Sequence, residues 1–290
     1  MKVRAYAKIN LMLDILGKTG DGYHSLFMIM QSIGIYDDVT VELTDRPNGI
    51  DITCSNTALP CDKGNIVYKA TEAFFKHMDK KPRPGVKIDI DKHIPFAAGL
   101  AGGSADAAAT LVALNSLTGA NLDIEELCSI GVKVGADVPF CLKGGTMVAL
   151  DIGQVLAPLP PLSIPFIILT KPDQDVSTKV AFDAADNAEI RHCDKEGIIR
   201  ALVTGNNAEL FPRIKNVFEQ FVEVPDRVSI KAIMRDHGCL ATCMSGSGPS
   251  VYALFDSEIK ARSALASLEA QWPSTFLCTP VPHGTEIISE

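Results

Sequence analysis

The chain has 290 residues, of which 47% are hydrophobic and 21% charged, the proportions of an ordinary soluble globular protein with room for two domains. Its formal net charge of −8 argues against nucleic acid or an anionic membrane surface as the main partner, so an anionic metabolite would need a local pocket. The eight cysteines form no C-x-x-C pair and no apolar run approaches the ~20 residues of a membrane span, so we expect a cytoplasmic protein with reduced thiols.

The N-terminal segment is predicted to be a strand with an unusual polar face. Residues 3–15 alternate with a period of two, which places Lys8 and Asn10 side by side on that face. The same alternation predicts further strands at 39–43, 50–54 and 86–90. Before the last of these, the apolar spacing from Asn65 onward is typical of a helix.

A glycine-rich turn at residues 99–103 leads into an alanine-rich helix. We expect this helix to run from about Ser104 to Leu117, with Gly119 after its end. Because it is apolar almost all round, it should be buried.

The segment after this helix carries a second set of helix signals. Asp123 and Glu126 have the spacing of a capping box, and Gly135 would end the helix that they begin. Pro139 favours an extended conformation at Val138, and a strand is expected near Met147.

The proline cluster APLPPLSIP, residues 157–165, is the predicted boundary between two domains, 1–157 and 158–290. Strands and helices mix on both sides without the regular alternation of a doubly wound sheet, so the predicted fold class is α+β. Beyond the boundary we expect strands at 166–169 and 275–279, two strands flanking MSGSGPS, and helices around 177–185, 196–204, 207–222, 229–237 and 258–271.

The segment PFAAGLAGGSADAAATL, residues 95–111, is a candidate phosphate-binding loop. Helix N-termini bind anions through unpaired backbone N–H groups, and glycine lets a backbone approach a phosphate closely. The segment is not a Walker A loop, because no G-K-[ST] ends it, and its spacing differs from G-x-G-x-x-G. The alternative is a tight turn before a buried helix, with Ser104 as its N-cap and Asp106 as a first-turn acid.

Lys8 and Asp137 are candidate catalytic residues. In this interpretation Asp137 would take the proton of an attacking hydroxyl or orient it, and Lys8 would stabilise the developing negative charge. In the alternative, Lys8 extends to water at a sheet edge, and Asp137 caps or turns the chain.

Two further segments suggest a nucleotide site. DGYHSL, residues 21–26, places Tyr23 and His24 after a glycine turn, where they could stack on and hydrogen-bond a flat ring. MSGSGPSVYALF contains a second glycine–serine loop, and two such loops in one chain favour a shared nucleotide. In the alternative, Tyr23 is an ordinary aromatic residue of a surface loop, and MSGSGPS is a loose hairpin turn.

Four segments, taken in order, resemble the GHMP kinases: AKINLMLDILGKTGDGYHSL, PFAAGLAGGSADAAATL, GADVPFCLKGGTMVAL and MSGSGPSVYALF. The first and third discriminate best, because mevalonate, homoserine and galactose kinases share the glycine loops. The resemblance implies a ribosomal S5 domain 2-like N-terminal domain and a ferredoxin-like C-terminal domain. It also implies transfer of the γ-phosphate of ATP, with Mg²⁺, to the 2-hydroxyl of a cytidine diphosphate-linked methylerythritol in the non-mevalonate isoprenoid pathway.

The resemblance further implies which residues act on ATP. Asp137 and Lys8 match the catalytic aspartate and lysine of the family, and Asn10 stands beside the lysine. Ser104 is the candidate magnesium ligand. The loop around the ATP phosphates would consist of Pro95, Phe96, Ala97, Ala98, Gly99, Leu100, Ala101, Gly102, Gly103, Ser104 and Ala105.

The acceptor site is implied in the same way. Tyr23 and His24 match the residues that hold the cytosine, and Phe182 matches a second stacking aromatic. Gly246 and Gly248 belong to the third family motif, which supports the loops around the substrates.

The sequence departs from the family pattern at three loop positions. Ala97 and Ala101 stand where glycine is frequent, and Ala105 stands where serine is frequent. Because alanine permits a tight start to a helix, we expect phosphate binding to survive.

Three other interpretations of the same residues remain open. The chain could be another small-molecule GHMP kinase, acting on mevalonate, homoserine or a sugar, although a cytosine site would have no use there. A nucleotide-binding relative without catalysis would need neither Lys8 nor Asp137. The glycine loops could also be simple turns of an α+β protein.

Overall fold

The computed structural model describes residues 1–20, 22–79 and 83–289, and Asp21 of the DGYHSL segment lies outside them. Within these residues the strands form one sheet of eight strands and one of four, with helices packed against both. Among the helices described, none has the length and apolar character needed to cross a membrane.

The larger sheet is built on two long strands, β1 (Lys2–Lys18) and β2 (His24–Thr44), which pair antiparallel. The strands predicted at 3–15 and 39–43 are confirmed as parts of these longer elements. The other strands of this sheet are β3 (Ile50–Cys54), β4 (Gly85–Asp91), β5 (Thr146–Asp151), β6 (Val155–Pro158), β8 (Lys215–Asn216) and β12 (Thr285–Ser289). The order is β12-β1-β2-β4-β3, with β5 beside β2, β6 beside β5 and β8 beside β1.

Helices of the first half cover this sheet: α1 (Ile66–His77), α2 (Gly102–Leu117), α3 (Ile124–Gly131) and α4 (Val138–Lys143). The predicted burial of α2 is confirmed, since residues 105–111 are all buried, and the helix packs on β1 and β2. Asn65 is the N-cap of α1, and its side chain accepts a hydrogen bond from the Val67 N–H at 3.1 Å.

Helix α2 begins two residues earlier than the sequence predicts. Its N-cap is Ala101, in the left-handed conformation with φ 59°, and no side chain caps the helix. Ser104 is therefore not the N-cap but lies within the first turn. The first N–H groups of α2 are consequently left without a side-chain acceptor, as an anion site requires.

The capping box of α3 is confirmed. The Asp123 N–H donates to the Glu126 carboxylate at 2.8 Å, and the Glu126 N–H donates to Asp123 at 2.9 Å. The helix ends at Gly131, before Gly135.

The extended conformation expected at Val138 is wrong, because Val138 is the first residue of α4. Pro139 occupies the first turn of that helix, where a proline lacks only an N–H that has no helical partner.

The smaller sheet lies in the second half and is antiparallel, in the order β11-β7-β10-β9. Its strands are β7 (Phe166–Thr170), β9 (Ala241–Met244), β10 (Val251–Phe255) and β11 (Thr275–Cys278). The helices of this half are α5 (Thr178–Ala185), α6 (Lys195–Thr204), α7 (Asn207–Leu210), α8 (Arg227–Asp236) and α9 (Glu258–Glu269). The predicted strands around MSGSGPS, and four of the five predicted helices, are confirmed.

The single helix predicted over 207–222 is wrong. This stretch contains the short helix α7, a 3₁₀ turn at Phe211–Arg213, strand β8 and a second 3₁₀ turn at Val217–Gln220. Pro212 lies in the first 3₁₀ turn, where it cannot continue a helix, and pairing of β8 with β1 replaces the helical hydrogen bonds.

Two strands of the second half belong to the sheet of the first half. Both β8 and β12 pair with β1, so the chain returns twice to the larger sheet after residue 158. The division at 157/158 stays a prediction, and the two halves share a continuous core.

The eight cysteines are free thiols. Burial raises the pKa of Cys128 to about 11 and that of Cys278 to about 12, so these thiols remain protonated at neutral pH. They pack as small apolar groups.

Candidate active site

One cleft, with a volume of about 920 Å³, brings together most of the residues that the sequence predicts for a site. The predicted residues in its lining are Lys8, Tyr23, His24, Pro95, Phe96, Ala97, Ala98, Gly99, Leu100, Ala101, Gly102, Gly103, Ser104, Asp137, Phe182 and Gly246. Asn10, Ala105 and Gly248 are absent from that lining; Asn10 and Ala105 are fully buried.

The glycine loop winds through three left-handed residues, Ala97 (φ 50°), Gly99 (φ 74°) and Ala101 (φ 59°), before α2 begins. Glycine suits positions 97 and 101 because the left-handed conformation of an alanine raises the free energy of the folded state by roughly 1–2 kcal/mol. The Lys8 N–H donates to the Leu100 carbonyl at 3.1 Å, which holds the loop against β1.

The second glycine loop packs directly on the first. Ser245 Oγ donates to the Gly99 carbonyl at 2.9 Å, and a Cβ on Gly99 would overlap the carbonyl oxygen of Ser245. Gly246 has φ 58°, and a Cβ there would lie 2.9 Å from the Gly99 carbonyl oxygen. The MSGSGPS segment is therefore not a loose hairpin turn, because both loops need glycine for mutual close contact.

Lys8 is buried, with 4% of its surface exposed, so the alternative in which it extends to water is wrong. Its Nζ donates to Asn10 Oδ1 at 2.7 Å, and the same oxygen accepts from the Gly246 N–H at 3.0 Å. Asn10 Nδ2 is buried and has no hydrogen-bond partner among the described residues. Asn10 thus orients the lysine without neutralising its charge.

Asp137 occupies the N-cap position of α4, but its side chain makes no capping hydrogen bond. An aspartate at this position usually accepts from the first N–H groups of the helix. Here the carboxylate lines the cleft instead, so capping does not explain the residue.

An aromatic part of the cleft is formed by Tyr23, His24 and Phe182. The rings of His24 and Phe182 stack at 4.6 Å with an interplanar angle of 20°, and Phe218 packs edge-on against Phe182 at 5.1 Å. Tyr23 is 61% exposed, as expected of a ring that contacts a ligand. These rings provide apolar faces for a flat group.

Sequence reasoning missed a buried charge cluster beneath the loop. Lys92 Nζ donates to Asp37 at 2.5 Å and to Asp106 at 2.7 Å, and Lys92 and Asp106 line the cleft. Burial opposes the charge of Lys92, but the two carboxylates outweigh it and raise its pKa; burial raises the pKa of Asp106 well above its ordinary value. Asp106 thus pairs with Lys92 in the core, and the alternative of a first-turn acid is wrong, because α2 begins at Gly102 and Asp106 lies beyond its first turn.

The sequence signal for this cluster was weak. Lys92 follows a predicted strand as a single lysine, and Asp37 lies in the middle of β2, 55 residues away along the chain. Only the pairing of β2 with β4 brings them together.

The cleft offers oxygen donors, but they do not form a metal-ligating cluster among the described residues. No group of three or more metal-ligating side chains occurs in the part of the chain that the structure describes. The residues in the cleft lining that carry hard oxygen donors include Ser104, Asp106, Asp137, Asp183 and Asp186. This set fits Mg²⁺ that is held mainly by phosphates and water, a common way of binding Mg²⁺ in kinases.

Comparison with protein families gives two matches. The GHMP kinases N terminal domain matches residues 65–145, and the GHMP kinases C terminal domain matches residues 198–274.

A curated relative from Clostridium perfringens, 4-diphosphocytidyl-2-C-methyl-D-erythritol kinase, is 42% identical over 275 residues and covers 94% of both chains. Among solved structures, a 4-(cytidine 5'-diphospho)-2C-methyl-D-erythritol kinase superposes with a TM-score of 0.78 and 30% identity, covering 97% of this chain and 99% of that one. A homoserine kinase from Cytophaga hutchinsonii superposes with a TM-score of 0.80 over 99% of this chain and 97% of its own. At 20% identity, that second structure shows a shared fold alone.

Proposed function

Because this chain belongs to the GHMP kinases, we propose that it transfers the γ-phosphate of ATP to the 2-hydroxyl of 4-(cytidine 5'-diphospho)-2-C-methyl-D-erythritol. The observation that carries the proposal is a relative with this kinase name, 42% identical over nearly the whole chain. This reaction belongs to the non-mevalonate route to isoprenoids. Both substrates are small cytoplasmic metabolites, so we also propose a cytoplasmic location without a nucleic-acid or membrane partner.

The glycine loop is the proposed site of the ATP phosphates. The N-terminus of α2 has no side-chain cap, so its N–H groups and the partial positive charge of the helix are available to an anion. An acidic protein can bind a polyphosphate in this way without a cluster of lysines. Mg²⁺ bound with the nucleotide would neutralise phosphate charge, and Ser104 is the oxygen donor that we propose for it.

Asp137 and Lys8 are the proposed catalytic pair. Asp137 would accept the proton of the attacking hydroxyl as the oxygen–phosphorus bond forms, and Lys8 would stabilise charge on the transferring phosphoryl group. Lys8 is suited to this because its position is set by an uncharged partner, Asn10, at 2.7 Å. A preoriented, desolvated cation is worth more to a transition state than one in water.

The aromatic part of the cleft is the proposed site of the cytosine. Tyr23, His24 and Phe182 offer stacking surface in the same cavity as the glycine loop. This feature favours the cytidine-linked acceptor over homoserine or mevalonate, which have no ring to stack.

The test is release of ADP from ATP and Mg²⁺, with the cytidine-linked methylerythritol as acceptor and with mevalonate and homoserine as controls. We expect turnover with the cytidine-linked acceptor only. Turnover with mevalonate or homoserine alone would overturn the acceptor assignment, and binding of ATP without turnover on any acceptor would refute the proposed activity.

A further inference from the structure

The glycine–serine loop between β9 and β10 supplies a backbone group that orients the side chain of Asn10. Asn10 Oδ1 accepts one hydrogen bond from Lys8 Nζ at 2.7 Å and a second from the Gly246 N–H at 3.0 Å. Both donors meet the same oxygen of a fully buried amide. The position of the Gly246 backbone therefore helps to fix where this oxygen, and with it Lys8 Nζ, lies.

One buried side chain of β8, that of Asn216, holds the backbone of this loop. Its Nδ2 donates to the Met244 carbonyl at 2.9 Å and to the Gly246 carbonyl at 2.7 Å, which uses both of its N–H groups. Its Oδ1 accepts from the Phe218 N–H at 3.0 Å, and only 4% of the residue is exposed. The side chain is therefore fixed in one orientation by backbone groups alone.

Three hydrogen bonds connect Asn216 to Lys8 in sequence. Asn216 holds the Gly246 carbonyl, and the Gly246 N–H holds Asn10. Asn10 in turn accepts from the ammonium group of Lys8. Strand β8 also pairs with β1, so Asn216 is fixed relative to the strand that carries Lys8 and Asn10. Asn216 is not among the described residues that line the cleft, so any effect that it has on a bound substrate must pass through its neighbours.

The rest of the glycine–serine loop has supports of its own. The Met244 N–H donates to Glu219 Oε1 at 2.6 Å, and Ser245 Oγ donates to the Gly99 carbonyl at 2.9 Å. These contacts do not involve Asn216. Its replacement should therefore release the Gly246 carbonyl without unfolding the loop.

We propose that Asn216 is a positioning residue for phosphoryl transfer, which sets the place of Lys8 Nζ through these three hydrogen bonds. Strand β8 thereby links the second half of the chain to the proposed catalytic lysine. A cation stabilises a transition state best when it is oriented beforehand, so a displaced lysine should lower kcat more than it raises KM. This inference rests on the proposed function, because it requires that Lys8 act on the transferring phosphoryl group.

A double-mutant cycle tests whether Asn216 acts through Lys8. In the wild-type background, Asn216→Ala should lower kcat for ADP release about 10–100-fold and leave the KM values of ATP and of the acceptor nearly unchanged. In the Lys8→Met background the same substitution should lower kcat by less than about twofold, because the group that Asn216 positions is already gone. An unchanged kcat in the wild-type background, or an equal fold-loss in both backgrounds, would overturn the proposal.

Asn115→Ala is the matched control. The Asn115 side chain also makes two hydrogen bonds to backbone, with the Leu122 N–H at 2.9 Å and the Leu122 carbonyl at 3.0 Å. Asn115 is not one of the described residues in the cleft lining, so its loss should lower stability and keep the wild-type kcat. If Asn115→Ala lowered kcat as much as Asn216→Ala, the effect would come from lost stability and the proposal would fail.

Crystal structures of the wild type and the variants give a readout that does not depend on activity. In Asn216→Ala we expect the Gly246 N–H and Lys8 Nζ to move away from Asn10 Oδ1, whereas Asn115→Ala should keep both contacts. Unchanged contacts in Asn216→Ala would refute the proposal. Asn216→Ser, whose shorter side chain also lacks the amide, replaces the alanine variant if that one does not fold. Absence of ADP release by the wild type with the cytidine-linked acceptor would refute the proposed function, whereas the structures would still decide whether Asn216 positions Lys8.

Discussion

Neither Asp137 nor Lys8 forms a salt bridge within the described part of the chain, although both line the cleft. Most buried charges in proteins are paired, because an isolated charge loses its hydration. Lys8 is compensated by one amide oxygen, and Asp137 by none of the helix N–H groups beside it. Such residues remain available to charges that a substrate brings.

Asp137→Asn should abolish most turnover and leave ATP binding intact. The change is nearly isosteric but removes the proposed proton acceptor, so we expect kcat to fall about 10²–10⁴-fold. ADP release and calorimetric titration with ATP measure the two effects. Asp256→Asn, at a surface pair with Lys260, is the control and should keep the wild-type rate. Undiminished turnover of the Asp137 variant would remove this residue from the mechanism.

Lys8→Met should lower kcat about 10²–10³-fold, because it removes the charge that we propose stabilises the transferring phosphoryl group. The free energy of unfolding should stay the same or rise, since a buried cation without an acidic partner stabilises a fold poorly. Activity assays and urea unfolding test this combination. Lys260→Met is the exposed control, and a wild-type rate in the Lys8 variant would show that the residue serves structure only.

At the scale of elements, the glycine loop before α2 contains two alanines in a strained backbone conformation. Ala97 and Ala101 adopt left-handed backbone conformations that glycine would take without cost. The packing of the loop on β1 and on Ser245 compensates for this strain. The loop therefore keeps its shape despite the two alanines.

Ala101→Gly should raise the free energy of unfolding by about 0.5–1 kcal/mol, because relief of the left-handed strain exceeds the added entropy of the unfolded chain. Ala105→Gly is the matched control, since it makes the same change four residues later inside α2 and should cost about 1 kcal/mol or more. Denaturant unfolding of both variants measures the difference. A loss of stability in Ala101→Gly would contradict the strain argument.

The start of β1 is joined to β2 by two ion pairs that share Asp38, and their contribution to stability depends on pH. Burial opposes the charge of Asp38, but hydrogen bonds from Lys2 at 2.8 Å and Arg4 at 3.2 Å outweigh it and hold the pKa of this carboxyl below its ordinary value of 3.8. A lowered folded-state pKa contributes stability above the ordinary pKa and loses it as the pH falls through the folded value.

Asp38→Asn should accordingly be less stable than the wild type at neutral pH, with the difference shrinking as the pH falls below the ordinary value of 3.8. Urea unfolding at neutral pH and at a pH below 3.8 tests this. Asp51→Asn, at an exposed pair with Arg46, is the control and should change little at either pH. A difference that persisted in acid would show that the effect does not come from ionisation.

At the scale of the molecule, strand β12 completes the sheet that carries Lys8, the proposed catalytic lysine. Strand β12 pairs with β1 at residues 2–5, and Tyr6 Oη donates to Glu286 at 2.7 Å. The Tyr6 N–H also donates to the Gly284 carbonyl at 2.9 Å, two residues from Lys8. The two halves are thus connected by strand pairing as well as by side-chain packing.

Removal of residues 285–290 should therefore destabilise the whole protein. Loss of the β1–β12 hydrogen bonds should cost about 2–4 kcal/mol and lower Tm by several degrees, which a thermal melt measures. Tyr6→Phe, which removes only the hydrogen bond to Glu286, should have a smaller effect. An unchanged Tm in the truncated chain would mean that this pairing contributes nothing.

The sequence by itself determined the features that depend on neighbouring residues. Period-two alternation predicted strands, Asp123 and Glu126 predicted a capping box, and the glycine–alanine pattern predicted a loop before a buried helix. The ordered motifs also pointed to the family that the comparisons show. These features are readable because their causes lie within a few residues of chain.

Only the tertiary structure decided the features that depend on residues distant in sequence. Lys8 is buried because the glycine loop and the second half cover β1, and Asp186 meets His24 across 162 residues. Lys92 meets Asp37 through the pairing of β2 with β4. The stretch 207–222 is not one helix because β8 pairs with β1. The propensity of a short segment for helix or strand does not indicate its distant partners. Desolvation and hydrogen bonding between distant segments outweigh that propensity.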